Sequence, residues 1–535
     1  MKKILNKLYI IPVVLTAVIL NSCSDYLDIN KNPNSATSAS PDLVISNALT
    51  STASWVAGTY NDYGAWHVGY FANAGGYGGW GSVITYDYTT ADYSNLWNIY
   101  DNLNDYQYVE SSSKNDDQLA YYRAMAKVMK VYDFQMLVDA YNDIPYSEAL
   151  KGDANVTPSY DSAPDVYKDM VAQLDSSITI INGVTSQLSV GPEDVLFNGD
   201  MDNWKRFANT LKLRLLIRAQ NSSISDFVQS ELNSFDTSIG FISDDAIVNP
   251  GYTVSSGKQN PFWNTYHSGT DGTVTGSARS RIPTYYIFGY YDGTKLSDEN
   301  RGKVTYYGFD SGDTPLNQLG YTGSDAVPYV SGHPSWYIGE GTGTNTENTV
   351  GILKGRTMGQ PIFLLADSEF LQAEAALNGY SQFGNAEDHY RAGVTASFRY
   401  LYKNVDNNVE SGYDPEADAA EYMDVENAGN YLADYSAATT NSERLEAIIT
   451  QKYIALNMIN NAEAWNEYRR TGFPANNGKN NAANKYLSFS SITSSASRSD
   501  KLPTRILYPS DEFGRNADNV PKGIDSFTTL IFWAK

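Results

Sequence analysis

A chain of 535 residues with one cysteine, Cys23, can close no internal disulfide, so its fold must rest on packing alone. Positive charge is also scarce. Lys and Arg number 38 against 61 Asp and Glu, a formal net charge of -23. Nucleic acid and anionic lipid head groups are therefore poor partners. Histidine is limited to His67, His267, His333 and His389, and none stands in an H-E-x-x-H helix or pairs with the cysteine. The sequence has no G-x-S-x-G elbow and no G-x-x-x-x-G-K-[ST] loop. Asp406, Glu410 and Asp414 lack the spacing and glycine of a calcium-binding EF-hand, so a solvated acidic loop is expected there. No metal and no cofactor is implied, and the chain does not read as an enzyme. A glycosidase needs only two carboxylates, so a surface glycosidase is the enzymatic alternative, although no motif supports it. Long apolar runs are missing beyond the first 20 residues, so no other segment reads as a membrane span.

What is present begins with Lys2, Lys3 and Lys7, followed by a short apolar run from residue 8 to residue 20. A basic start and an apolar stretch too short to cross a bilayer describe a secretory signal peptide, assigned to residues 1–22. The sequence Leu20-Asn21-Ser22-Cys23 then resembles a bacterial lipobox, in which the cysteine is acylated and becomes the first mature residue. Asn21 departs from the usual small residue. Lipidation of Cys23 is expected, and acyl chains would hold the protein to a membrane. Residues 23–40, polar and bounded by Pro33 and Pro41, read as a tether.

Helical periodicity dominates the rest. Residues 94–111 and 117–140 read as helices, the second apolar nearly all round with Arg123, Lys127 and Lys130 on one stripe. Pro164 opens a helix whose apolar positions are Tyr167, Met170, Val171, Leu174, Ile178 and Ile181. Another starts after Asp202, Pro361 starts one through Ile362 and Leu365, Asn385 caps one, and Asn441 or Ser442 begins a long one, with a weaker one over 415–433. Paired helices and short turns suggest a mainly α fold, an α-solenoid of the tetratricopeptide kind. The scaffold is expected over about 41–235 and 359–475, within one domain spanning 41–535. Residues 60–93 read as a glycine-rich loop, and 236–358 as a loop-rich insert dense in Gly, Thr, Ser, Asn and Tyr. Loops this long are usually functional, and their aromatics argue against disorder.

Several blocks share the order and spacing of the motifs of one known family. Cys23 and Leu27-Asp28-Ile29-Asn30-Lys31-Asn32-Pro33 resemble the mature start of its members. Tyr121-Tyr122-Arg123-Ala124 through Asn142-Asp143-Ile144-Pro145-Tyr146 resembles its buried helix and following "x-P-Y" turn. Leu364, Leu365, Ala373, Glu374 and Asn378 resemble "LL-x-AE-x-x-x-N". Glu443, Arg444 and the run from Ala464 to Gly472 resemble "E-R … W-x-D-x-x-R-x-G", with Glu467 and Tyr468 departing slightly. Arg505, Tyr508, Pro509, Glu512 and Asn516 match "R-x-x-YP-x-x-E-x-x-x-N". The family resembled is SusD/RagB, outer-membrane nutrient-binding lipoproteins, and the resemblance implies a helical scaffold with an irregular ligand-binding region, anchored on the outer membrane and facing the cell exterior. It also implies a SusC-like TonB-dependent transporter as partner, over which the protein acts as a lid. Its ligand would be an oligosaccharide or polysaccharide or, in some relatives, a peptide. Most motif residues are expected to build the fold and not to touch ligand.

The 42 tyrosines and 9 tryptophans exceed what a core needs. A sugar ring has an apolar face that an indole or phenol ring can cover while staying partly wet. Nearby polar groups then orient the hydroxyls. The expected aromatic platform is Trp66, Tyr77 and Trp80 in the first loop, with Trp263, Tyr285 and Trp336 in the second. The competing reading is that such rings seal a satellite core under long loops. Trp80, flanked by Gly78, Gly79 and Gly81, is the first choice. Trp97 and Trp204, on helix faces, are assigned to the core.

Overall fold

The computed structural model describes residues 39–185, 188–323, 326–328, 336–337, 349–478 and 485–535. Cys23, the signal segment and all but the end of the tether lie outside the described residues. The longer helices are α1 (Pro41–Trp55), α2 (Asn61–Val68), α3 (Ile99–Ser112), α4 (Ala120–Tyr141), α5 (Ala163–Gly183), α6 (Met201–Ala219), α7 (Ser225–Asn233), α8 (Leu365–Leu377), α9 (Ala386–Tyr402), α10 (Asn441–Leu456) and α11 (Asn461–Thr471). Helices near in sequence pack on one another: α3 on α4, α4 on α5, α5 on α6, and α8 on α9 and α10. Helix α6 also touches α8, which joins the two runs. The architecture is mainly helical, as expected from the periodicity.

Local chemistry explains most boundaries. Pro164 sits in the first turn of α5, and all six apolar positions read from the sequence are buried. The Asn385 side chain accepts from the backbone N–H groups of Glu387 and Asp388 and starts α9. Thr440 and Glu443 form a capping box ahead of α10. Helix α4 is buried nearly all round and stops at Asn142, whose φ of 69° leaves the helical region.

Three expectations need correction. Pro361 does not start a helix: it lies in a strand over Gln360–Phe363 that pairs with Ala246–Val248, and the helix begins at Leu365. Residues 60–68 are not loop: α1 continues through a π-helical turn at Val56–Tyr60 into α2. Gly64 misled the reading because it serves close approach and not a turn. A Cβ placed there would lie 2.2 Å from the backbone carbonyl carbon of Asn461, so α2 and α11 meet only over a glycine. The segment 415–433 is helical only over Pro415–Glu421, followed by a π-helical turn at Tyr422–Glu426.

Strands are short. β1 (Phe71–Asn73) pairs antiparallel with β3 (Arg281–Pro283), and β2 (Ala246–Val248) with β4 (Gln360–Phe363). Among the described residues, 236–358 otherwise contains only brief helical turns such as Pro261–Tyr266 and Glu299–Thr305. The two ladders tie this stretch to the helices: β1 follows α2, and β4 leads into α8.

A buried ionic network lies where α4, α6, α8, α10 and α11 meet. Arg218 bonds Asp139 at 2.5 Å and also Glu463 and Glu467, all nearly inaccessible. Lys452 lies 2.6 Å from Asp367 and 3.1 and 3.2 Å from Glu463 and Glu467. Arg470 bridges Glu374 at 2.6 Å and Glu467 at 2.5 Å. The end of α4 is fixed by the C-terminal motif. Arg505 donates to the carbonyl of Tyr141, and the Tyr508 hydroxyl donates to the carbonyls of Tyr141 and Asp143. The motif residues therefore hold helices together across several hundred positions of sequence.

Candidate binding surface

After β1 the chain runs into Gly75–Gly81. Gly75 is pinned: its N–H donates to Val327 O at 2.8 Å, and a Cβ there would lie 2.2 Å from Ala326 O. From Gly76 onward the loop stands in open space. Gly76 and Gly79 have φ of +81° and +84°, and Cβ atoms at Gly76, Gly78, Gly79 and Gly81 would meet nothing within 4 Å. This backbone presents two rings. Tyr77 is 38% exposed, and Trp80 is half-buried. The Trp80 indole N–H donates to the Tyr77 carbonyl at 3.1 Å, which sets the orientation of the ring.

Trp80 rests on Trp66, with centroids 5.4 Å apart and planes tilted by 56°. Trp66 is itself held from below. Its N–H donates to Asp62 at 3.2 Å, and the Arg281 guanidinium lies 5.5 Å from its ring centroid. Arg281 Nε donates to Asp62 Oδ1 at 2.8 Å. Both charged side chains keep some exposure, 17% for Arg281 and 29% for Asp62. A partly wet ring beside a partly wet ion pair can cover an apolar face and bind the polar rim of the same ligand.

The other predicted rings do not join this platform. Trp66 is 1% exposed and supports Trp80 without a face of its own to offer. Trp263 is fully buried and stacks on His267 at 3.7 Å. Burial pushes that imidazole down to about 3, with Arg356 adding to the effect, so His267 is a neutral core residue. Trp336 is 1% exposed and packs with Ala74 and Ile282. A reading of all three as loop residues made them look available, but Trp66 lies on α2 under Trp80, and Trp263 and Trp336 are closed into the protein beneath their loops. Tyr285 stays half-buried against Tyr486 and under the Lys485 ammonium. It follows β3, whereas Tyr77 and Trp80 follow β1. Because the ladder is antiparallel, they leave at opposite ends and do not converge.

Trp97, expected in the core, is half-buried and lines an open cleft. Trp204 is fully buried, its N–H held by Asp194. Among the described residues, no group of three or more His, Cys, Asp or Glu is arranged to hold a metal ion.

Comparison with known proteins places this geometry in context. A family model described as SusD-like, "Starch-binding associating with outer membrane", matches residues 33–509. No curated protein matches the chain in sequence. Solved structures share the fold. A SusD/RagB family protein from Bacteroides thetaiotaomicron aligns with a TM-score of 0.68 at 20% identity, covering 93% of this chain and 99% of its own. A SusD homologue from Bacteroides uniformis gives 0.64 at 24%, covering 92% and 99%. A structure described as a chitin-binding protein gives 0.63 at 24%, covering 92% and 100%. At such identities the likeness concerns architecture alone.

Proposed function

The chain belongs to the SusD-like family, described as starch-binding and associated with the outer membrane, and on that footing we propose that it captures oligosaccharide or polysaccharide at the cell surface. The reading is carried by one observation, the family match across nearly the whole chain. The surface around Trp80 and Tyr77 supports it, because a ring on an open glycine loop near a partly exposed ion pair suits a neutral sugar. In this account Cys23 is lipidated, the fold faces outward, and a SusC-like TonB-dependent transporter receives the cargo. No described helix is long and apolar enough to cross a membrane, so an acyl anchor fits the outer-membrane association.

Capture by stacking and a few hydroxyl contacts is weak for its area, since an oligosaccharide loses freedom and its hydroxyls leave water. Weak capture suits release to a transporter. The test is native electrophoresis of the mature protein through gels containing amylopectin, glycol chitin, xylan or laminarin. At least one polymer will retard it, and overnight incubation will leave that polymer's reducing ends unchanged. Unretarded migration in every gel would end the glycan reading. A steady rise in reducing ends, abolished by changing one carboxylate, would replace it with a glycosidase.

A further inference from the structure

A cleft of about 450 Å³ opens between the turn at Ser94–Asn98 and the short helix Ser510–Arg515. Trp97 forms part of its wall. The ring is fixed on its protein side by Tyr141 and Tyr508, edge-on at 4.8 and 6.0 Å, and by Tyr160, near-parallel at 6.2 Å. The indole N–H groups of Trp66, Trp80, Trp204 and Trp465 are all engaged by the protein. That of Trp97 makes no hydrogen bond to any described residue. Around it stand the exposed side chains of Asn95, Asn98 and Asp101. Opposite are Glu512, which accepts from the Tyr160 hydroxyl at 2.6 Å, and Arg515.

The geometry points to a second sugar-binding subsite at Trp97, separate from the Trp80 surface and selective for neutral sugars. It rests on the glycan reading given above. A rigid indole supplies a flat apolar contact for C–H groups, and the amides and carboxylates around it match a rim of hydroxyls. The alternatives fit less well. Asp101, Asp511 and Glu512 outnumber Arg515, so an acidic sugar or other anion would be repelled. A hydrocarbon would strand the polar rim without partners. The acids do not converge as a cation site would require.

No contact residue of Trp97 is shared with Trp80: Tyr141, Tyr160 and Tyr508 hold one, and Trp66 and Tyr77 hold the other. Two independent subsites on one chain raise retention of a long polymer that reaches both, without strengthening either site for a short fragment.

The experiment uses mature protein in mild detergent and variants at the exposed lip, where folding is not at stake. Equilibrium dialysis against saturating maltoheptaose or chitohexaose counts bound oligosaccharides. Electrophoresis in amylopectin or glycol chitin measures polymer retention. The parent should bind two oligosaccharides per chain. Asn98→Ala with Asp101→Ala, and separately Trp80→Ala, should each bind one. The double variant should lose roughly fivefold or more of its polymer retention, with unchanged circular dichroism. If it and Trp97→Phe keep the parent's stoichiometry and retention while Trp80→Ala loses both, the cleft is no subsite and the glycan reading stands. If the parent binds none of the four probes, the glycan reading fails on them and the subsite with it.

Discussion

The Arg218→Met protein will melt well below the parent, having lost about 3–5 kcal/mol of folding free energy. Arg218 is 1% exposed and faces Asp139, Glu463 and Glu467, which are equally inaccessible. Methionine fills similar space but takes from Asp139 its partner at 2.5 Å, leaves Glu463 to Lys452, which already serves Asp367, and leaves Glu467 to Lys452 and Arg470. Removing one member of a buried network strands its partners' charge, which costs far more than the pair contributes net. The pH dependence identifies the cause. In the parent, burial pushes Glu463 up, but Arg218 and then Lys452 pull it further down, to well below the usual carboxylate range. Its stabilising effect is therefore present above the unfolded value near 4.3 and lost only as pH falls through the folded one. In the variant the stranded carboxylates take up protons at higher pH, which relieves the penalty. The melting difference should accordingly be large at pH 8 and smaller at pH 5. Arg218→Lys, which keeps the charge without the guanidinium fork, should lose less. Equal differences at both pH values would mean that packing, and not charge, is what Arg218 supplies.

The Cys23→Ala protein will leave the membrane fraction altogether. Each buried methylene contributes about 0.8 kcal/mol, so two acyl chains give stable anchoring where one gives only marginal binding. On the proposed lipidation, no described residue replaces them. The described helices include no membrane span, and a net charge of -23 offers no attraction to anionic lipid. Fractionation at high salt should find the variant soluble and the parent in the outer membrane. A variant that still sediments with outer membranes at high salt would remove Cys23 as the anchor.

The helices were legible because their periodicity is strong and their ends are marked. Pro164 and Asn385 each do the local work that their positions suggested. The architecture followed from those helices together with the family motifs. Glycine and tryptophan were harder to place because their meaning depends on what lies opposite. Gly64 reads like Gly78 in sequence, yet one admits the backbone of Asn461 and the other faces open space. Trp263 and Trp336 lie in loops like that of Trp80, but they are closed over by chain that returns from far away. Conversely, Trp97 lies on a helical face, and only the position of residues 509–515 leaves it beside a cleft. No local pattern encodes such long-range pairings. The ionic network was half visible: Glu374, Glu467 and Arg470 stood in motifs, but nothing in sequence linked them to Arg218 or Lys452.

Capture of sugar on the Trp80 loop is decided by one comparison. Parent and Trp80→Ala proteins are run through gels of the polymer that retards the parent, over a range of polymer concentrations, with circular dichroism taken on the same samples. Trp80 is half-buried on a loop with open space around its glycines, so its removal should leave the helices intact. The account predicts retention weakened roughly tenfold or more, about 1.4 kcal/mol, with an unchanged helical spectrum. Normal retention by Trp80→Ala, with binding lost instead on substitutions on helices α4 and α5, would contradict it.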